Sequence, residues 1–289
     1  MAGGGAPPPE AVRGGMSGRV VGVVAVVVAI VAFIAGLGLG AVVYTPRPAT
    51  PQFLVNGNNA PFPPFENYSF ELKTFVGFNI DFAQEIANAT RRTLVIQNFA
   101  DFDVLLATIR TGGVDMAVAS ITMTDARNAT LDFSVPYWKA DQAALVKATS
   151  AFACANLASC TPAEIAGGAT DNVIGVQQAT TSELWVNKEV APLMDNNVTN
   201  IKRFGSVATV IAALSAGGVD IVIIDEPVAQ SYGKPGSGFK VAGTIPTGEL
   251  YGVAVANGDP QGLIPIINAV LKQLRDSGKW DQLVQKWFK

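Results

Sequence analysis

The order of apolar and polar positions divides the chain into two unlike parts. Val20–Val43 holds no charged residue and is apolar throughout. A helix of that length spans roughly 30 Å, the thickness of a bilayer's hydrocarbon core. Residues 1–19 before it are rich in Gly and Pro and read as a disordered tail. Residues 44–51 after it include Thr45-Pro-Arg-Pro-Ala-Thr-Pro51, a Pro-rich extended spacer. From Gln52 onward, short β-type runs alternate with helical periodicity. Ile80–Thr90 sets Ile80, Phe82, Ala83, Ile86 and Ala87 on one helical face. Leu94–Gln97 reads as a strand, Val104–Arg110 as a helix, Asp115–Ala119 and Ala143–Lys147 as strands. The plan then recurs. Strands are expected at Val173–Val176, Ile201–Phe204, Asp220–Ile224 and Leu250–Ala256. Helices are expected at Thr180–Trp185, Val207–Ala216, Leu263–Asp276 and Lys279–Phe288. In the last of these Trp280, Leu283, Val284 and Trp287 share one face, which reads as core.

One phrase occurs twice. Thr111-Gly-Gly-Val-Asp115 opens the apolar run Met116–Ala119, which ends at Ser120. Ala216-Gly-Gly-Val-Asp220 opens Ile221–Ile224, which ends at Asp225. A Gly-Gly at a helix end followed by a short β-branched run reads as helix, turn and buried parallel strand. Two copies imply two α/β lobes of like topology. Open α/β sheets place ligands at the carboxyl ends of their strands. Ser120 and Asp225 hold equivalent places, so a cleft between the lobes is the expected site.

Composition narrows the chemistry. The chain has 289 residues, 49% hydrophobic and 15% charged, which suits one large or two modest domains. A net charge of −3 and the lack of a basic stripe argue against nucleic acid. There is no His, and Cys154 and Cys160 are the only cysteines. That removes Ser-His-Asp and Cys-His catalysis and most zinc sites, and no metal or cofactor motif is read. Arg13 and Arg19 precede the apolar run, so the tail is expected in the cytoplasm and the remainder outside. Two readings fit that run: a retained single-pass anchor, or a signal peptide cleaved among the small residues Gly36–Ala41. Its length favours the anchor, since a signal's apolar region is usually about 7–15 residues. Outside the cytoplasm Cys154 and Cys160 are expected to form a disulfide. Sequons begin at Asn67, Asn88, Asn128 and Asn197.

The stretch Ala119-Ser-Ile-Thr-Met-Thr-Asp-Ala-Arg127 puts hydroxyls and a guanidinium just past a strand end. An arginine fork with flanking hydroxyls matches a carboxylate. The same residues also read as a helix cap, Thr122 to Asp125, with Arg127 in a surface ion pair. Asp225 reads either as a ligand contact or as a helix N-cap. Phe62 and Phe102 read either as cleft walls or as ordinary core.

Several motifs resemble the family 3 extracellular solute-binding proteins, the polar amino acid receptors of bacterial and archaeal ABC importers. Val76-Gly-Phe-Asn-Ile-Asp-Phe-Ala83 resembles their GF-D-DLA segment. Asp103–Ile109 with Gly112-Gly-Val-Asp115 resembles ALIPALQSGKVD. Ser120–Arg127 resembles S-T-T-E-R, Asp132-Phe-Ser-Val-Pro-Tyr137 resembles DFS-PY, and Gly175-Val-Gln-Gln-Ala-Thr-Thr181 resembles GV-Q-G-T-T. The ending Ser277-Gly-Lys-Trp280 to Gln285-Lys-Trp-Phe288 fits as well, so the match runs from about Phe62 to the C-terminus.

This resemblance implies an α/β, two-lobed, periplasmic-binding-protein-like type II fold, each lobe a mostly parallel sheet flanked by helices, here preceded by one transmembrane helix. Lobe one is expected from residues 52–139 and 246–289, and lobe two from 140–245. Carried over residue by residue, Arg127 clamps the ligand's α-carboxylate, with Ser120 and Thr122 hydrogen-bonding the ligand backbone and Thr181 donating from lobe two. Asp225 accepts from the α-ammonium, and Phe62 and Phe102 sandwich the ligand. Asn59 and Gln177 fall at the side-chain end. Both are neutral, which leans toward a neutral polar amino acid. The implied partners are that amino acid, an ABC permease and the membrane. Ala179 replaces the family's usual Gly and is expected to avoid a positive φ. Two alternatives share the fold: a cyclohexadienyl-dehydratase-like enzyme, with Glu66 and Glu226 as acids by residue type, and a ligand-sensing domain. The short N-terminal tail speaks against the sensing domain.

Overall fold

The computed structural model describes residues 52–168, 173–194 and 200–289. The expected tail, apolar span and Pro-rich spacer (1–19, 20–43 and 44–51) lie outside the described residues, as does the sequon at Asn197. Among the described residues no helix is long and apolar enough to cross a membrane.

Both copies of the Gly-Gly-Val-Asp phrase fold alike. The helices Phe102–Arg110 and Val207–Ala216 end at glycines in the left-handed region, Gly112 at φ 70° and Gly217 at φ 80°. Glycine takes that conformation without the Cβ clash other residues meet. Each phrase then pins its strand to an earlier segment in the same way. The Asp115 carboxylate accepts from the Val55 N–H at 2.8 Å, and Asp220 accepts from the Val173 N–H at 2.8 Å. In return the Val55 carbonyl accepts from Asp115 and Met116 N–H, and the Val173 carbonyl from Asp220 and Ile221 N–H.

The strands of the described residues are β1 (Phe53–Asn58), β2 (Asn67–Ser69), β3 (Thr74–Val76), β4 (Thr93–Asn98), β5 (Ala117–Thr122) and β6 (Leu131–Phe133). They continue with β7 (Trp138–Lys147), β8 (Ile174–Gln177), β9 (Ile201–Phe204), β10 (Ile221–Asp225) and β11 (Phe239–Ala256). The main sheet runs β5-β11-β7-β10-β8-β9, with β6 also on β11. β8 is parallel to both β9 and β10, and β1 is parallel to β4.

The pattern Leu250–Ala256 proves to be only the far half of an 18-residue strand. β11 runs antiparallel to β7, and their register breaks between Ile245 and Glu249, at Pro246-Thr-Gly248. Pro cannot donate to a ladder and Gly weakens one, so this stretch reads as a loop although the strand resumes beyond it. Before the break, β7 leads to β10, β8 and β9; beyond it, β11 pairs with β5 and β6. The fold is α/β and two-lobed, and β7 and β11 pair with each other on both sides of the break.

Aromatic packing ties the C-terminus to this frame. Phe65 meets Phe78, Trp138, Tyr251 and Phe288 edge-on, and Trp138 stacks on Phe288 at 4.3 Å between centroids. Trp280 and Leu283 are buried, so the face of the last helix is core. Cys154 and Cys160 are joined in a disulfide, with 5.4 Å between their Cα atoms. The bridge lies on β11, where a Cβ added at Gly243 would come within 2.8 Å of the Cys154 sulfur. The Cys154 and Cys160 N–H groups donate to the Ala242 and Thr244 carbonyls, seating the loop along the strand.

Candidate functional site

Strand ends and the loops after them converge on one cavity. It is lined by Asn59, Phe62, Ser120, Thr122, Phe102, Arg127, Gln177, Thr181 and Asp225, the nine residues read from the sequence, and also by Glu66, Ala119 and Thr180. Glu226 is not among the lining residues.

Arg127 organises one end. Thr124 caps the short helix Asp125–Asn128 by accepting from the Arg127 N–H, so the capping reading of this stretch holds. The surface ion pair does not. Arg127 is buried, and none of the ion pairs among the described residues includes it. Its Nη1 donates to the Thr122 carbonyl at 2.8 Å and its Nη2 to the Ala179 carbonyl at 3.0 Å. The Phe102 ring lies 5.3 Å from the guanidinium carbon, a cation–π distance. Burial lowers the guanidinium pKa to about 10, against the nearby charges of Glu249 and Asp225, which raise it. It therefore stays protonated at neutral pH.

Ala179 corrects an expectation: its φ is +62°. A non-glycine residue in the left-handed region costs roughly 1–2 kcal/mol. Two hydrogen bonds hold it there, from its N–H to Glu183 Oε2 at 2.7 Å and from Arg127 to its carbonyl.

Ser120 also departs from expectation. The strand does not end there but continues to Thr122, passing through Ser120 at φ +51°. A closed network fixes it. The Ser120 N–H donates to Tyr137 Oη at 3.0 Å, the Tyr137 hydroxyl donates to Asn79 Oδ1 at 3.1 Å, and Asn79 Nδ2 donates to Ser120 Oγ at 3.0 Å. Asn79 Nδ2 also donates to Glu66 Oε2 at 2.7 Å, and the Asn59 N–H to Glu66 Oε1 at 3.1 Å. Burial raises the Glu66 pKa to about 7.

Asp225 ends β10 and heads the helix Glu226–Tyr232, yet its side chain makes no capping hydrogen bond. It accepts instead from the Tyr251 hydroxyl at 2.7 Å and Gln142 Nε2 at 3.0 Å. Burial, then the charge of Glu249, raises its pKa to about 7.

Glu249 is the residue that sequence reading missed. Its Oε2 accepts from the Thr122 and Thr181 hydroxyls, both at 2.7 Å, and its Oε1 from Gln142 Nε2 at 3.0 Å. It sits just past the register break of β11, where neither periodicity nor a motif marks it. Gln142 thus bridges two carboxyls, and Tyr137 and Asn79 were likewise legible only once folded.

Comparison with known proteins follows the same lines. The chain belongs to the bacterial extracellular solute-binding proteins, family 3, whose model matches residues 54–289. It is similar to a probable histidine-binding protein of Neisseria gonorrhoeae, 31% identical over 80% of this chain and 81% of that one. It is also similar to the ABC transporter glutamine-binding protein GlnH of Bacillus subtilis, 29% identical over 74% and 72% of the two chains. Among solved structures, an ancestral arginine-binding protein bound to arginine superposes with a TM-score of 0.72 at 32% identity, covering 83% of this chain and 100% of that one.

The raised pKa of Glu66 has a consequence for stability. A carboxyl whose folded pKa lies above its ordinary 4.5 binds its proton more tightly when folded. Its contribution is present below about pH 4.5 and is lost as pH rises through about 7. Glu66→Gln keeps the shape and removes the titration; its amide can accept only one of the two bonds from Asn59 and Asn79, a loss that does not vary with pH. The melting temperature of the ligand-free variant, relative to the parent, should rise from pH 5 to about pH 7 and level off above it. A constant difference across that range would contradict a proton held on Glu66.

Proposed function

We propose that this chain is the extracytoplasmic receptor of an ABC importer, closing two lobes over a polar amino acid and presenting it to the permease. The observation that carries this reading is the buried Arg127 guanidinium without an ion-pair partner among the described residues. A buried charge is costly unless paired, and an α-carboxylate supplies a planar partner matched to the fork. Asp225 takes the α-ammonium, Phe62 and Phe102 flank the ligand, and Ser120, Thr122 and Thr181 meet its backbone atoms. The neutral Asn59 and Gln177 at the far end support a polar, neutral side chain. We place the hinge at the β7–β11 register break, which gives lobe one as 52–139 with 246–289 and lobe two as 140–245.

A dehydratase reading draws on Glu66, which lines the cavity and titrates near neutrality. General acid catalysis needs an acid aimed at the reacting group. Both Glu66 oxygens already accept from donors of the protein, an arrangement suited to accepting rather than to delivering a proton, which favours a receptor without turnover.

The receptor stands on a retained single-pass anchor, residues 20–43, with the binding domain outside. The charge-free length of that segment supports this assignment. N-terminal sequencing of the native protein should find the segment intact; a start beyond Gly40 would show a cleaved signal instead.

Arg127→Ala and Asp225→Ala should each weaken amino acid binding. Removing one partner of a desolvated charge pair costs about 2–5 kcal/mol, roughly 30- to 5,000-fold in affinity. Arg127→Lys should also bind more weakly, because an ammonium lacks the planar fork. Calorimetric titration is the measurement, with circular dichroism to separate binding from folding. A folded Arg127→Ala chain that binds like the parent would move the carboxylate clamp elsewhere.

A further inference from the structure

At the far end of the cavity, hydrogen-bond accounting narrows the ligand beyond a polar amino acid. Asn59 Nδ2 donates to the Phe99 carbonyl at 2.9 Å and the Ala100 carbonyl at 3.2 Å. Carbonyls only accept, so the amide cannot be turned round, and its Oδ1 must face Gln177. Gln177 Nε2 donates to that oxygen at 2.8 Å and to the Gly205 carbonyl at 3.0 Å. All four amide hydrogens of the two side chains are thereby spent. The Thr180 hydroxyl spends its hydrogen on the Gln177 carbonyl at 2.6 Å. What remains on Asn59, Gln177 and Thr180 can only accept. Gln177 Oε1 takes no hydrogen bond from any described residue. The Glu66 oxygens each accept one bond and keep a further lone pair.

We infer that the side-chain end of this cavity is an acceptor-only subsite, which selects amino acids whose side chains end in N–H donors and rejects those ending in a carboxylate. The inference rests on the reading above, in which Arg127 and Asp225 hold the α-groups. A carboxamide, an imidazole or a guanidinium gives its hydrogens to Gln177 Oε1 and Glu66; binding of the last would keep the subsite and replace the neutral side chain favoured above. Glutamate has glutamine's shape but would bring lone pairs against lone pairs. A site built for a donor discriminates strongly against an analogue lacking one, because its own polar groups lose water without gaining a partner.

The test is calorimetric titration of the full chain in detergent at pH 8, where Glu66 lies above its pKa of about 7. The probes are glutamine, histidine, arginine, glutamate and methionine. At least one N–H donor should bind more than 100-fold tighter than both glutamate and methionine. Gln177→Met should cut that preference at least tenfold while the chain still binds the same donor ligand measurably. Glutamate or methionine binding within tenfold of the best donor would overturn the subsite and leave the receptor reading standing. If none of the five binds, the receptor reading falls and the inference with it.

Discussion

The buried guanidinium of Arg127 is the constraint around which the cavity is arranged. A charge this deep needs either a counter-ion or a shell of fixed dipoles. The protein supplies dipoles, two backbone carbonyls and an aromatic face, and keeps Asp225 and Glu249 near but outside ion-pair distance. Holding the carboxylates back leaves the fork able to take an incoming anion. The same side chain joins two elements far apart in sequence, since Thr122 ends β5 and Ala179 belongs to the loop after β8. A ligand carboxylate at this point would settle local electrostatics and lobe closure together.

That geometry costs backbone strain, at one residue lining the cavity and at one bonded to Arg127. Ser120 and Ala179 both take positive φ without being glycine. Each is held by a hydrogen-bond network over-determining its conformation, the usual condition under which such strain persists. Ser120 depends on Tyr137 and Asn79, Ala179 on Glu183 and Arg127. The Glu249 carboxylate belongs to the same economy. It takes the hydroxyl hydrogens of Thr122 and Thr181, so those oxygens face a ligand as acceptors unless Glu249 moves.

Much of this was legible in the sequence because it is local. The doubled Gly-Gly-Val-Asp phrase carries its own turn chemistry, and both copies fold to the same hydrogen-bonded corner. Thr122 and Asp225 end strands and Arg127 follows one, at the edge where open α/β sheets place ligands. What escaped is non-local or interrupted. Pro246 and Gly248 hid the near half of β11 and, with it, Glu249. The Tyr137–Asn79–Glu66 network joins three separate segments, and no spacing announces it. Ala179 departs from expectation because propensity describes a residue alone, whereas a bond to Glu183 one turn on and a long-range bond from Arg127 hold its conformation.

A crystal structure of the full chain with its tightest-binding amino acid tests the central claim most directly. The account predicts both ligand carboxylate oxygens within hydrogen-bonding distance of the Arg127 fork, about 2.7–2.9 Å, and the ligand ammonium on Asp225. A ligand bound with its carboxylate away from Arg127, and Arg127 still spent on the Thr122 and Ala179 carbonyls alone, would contradict it.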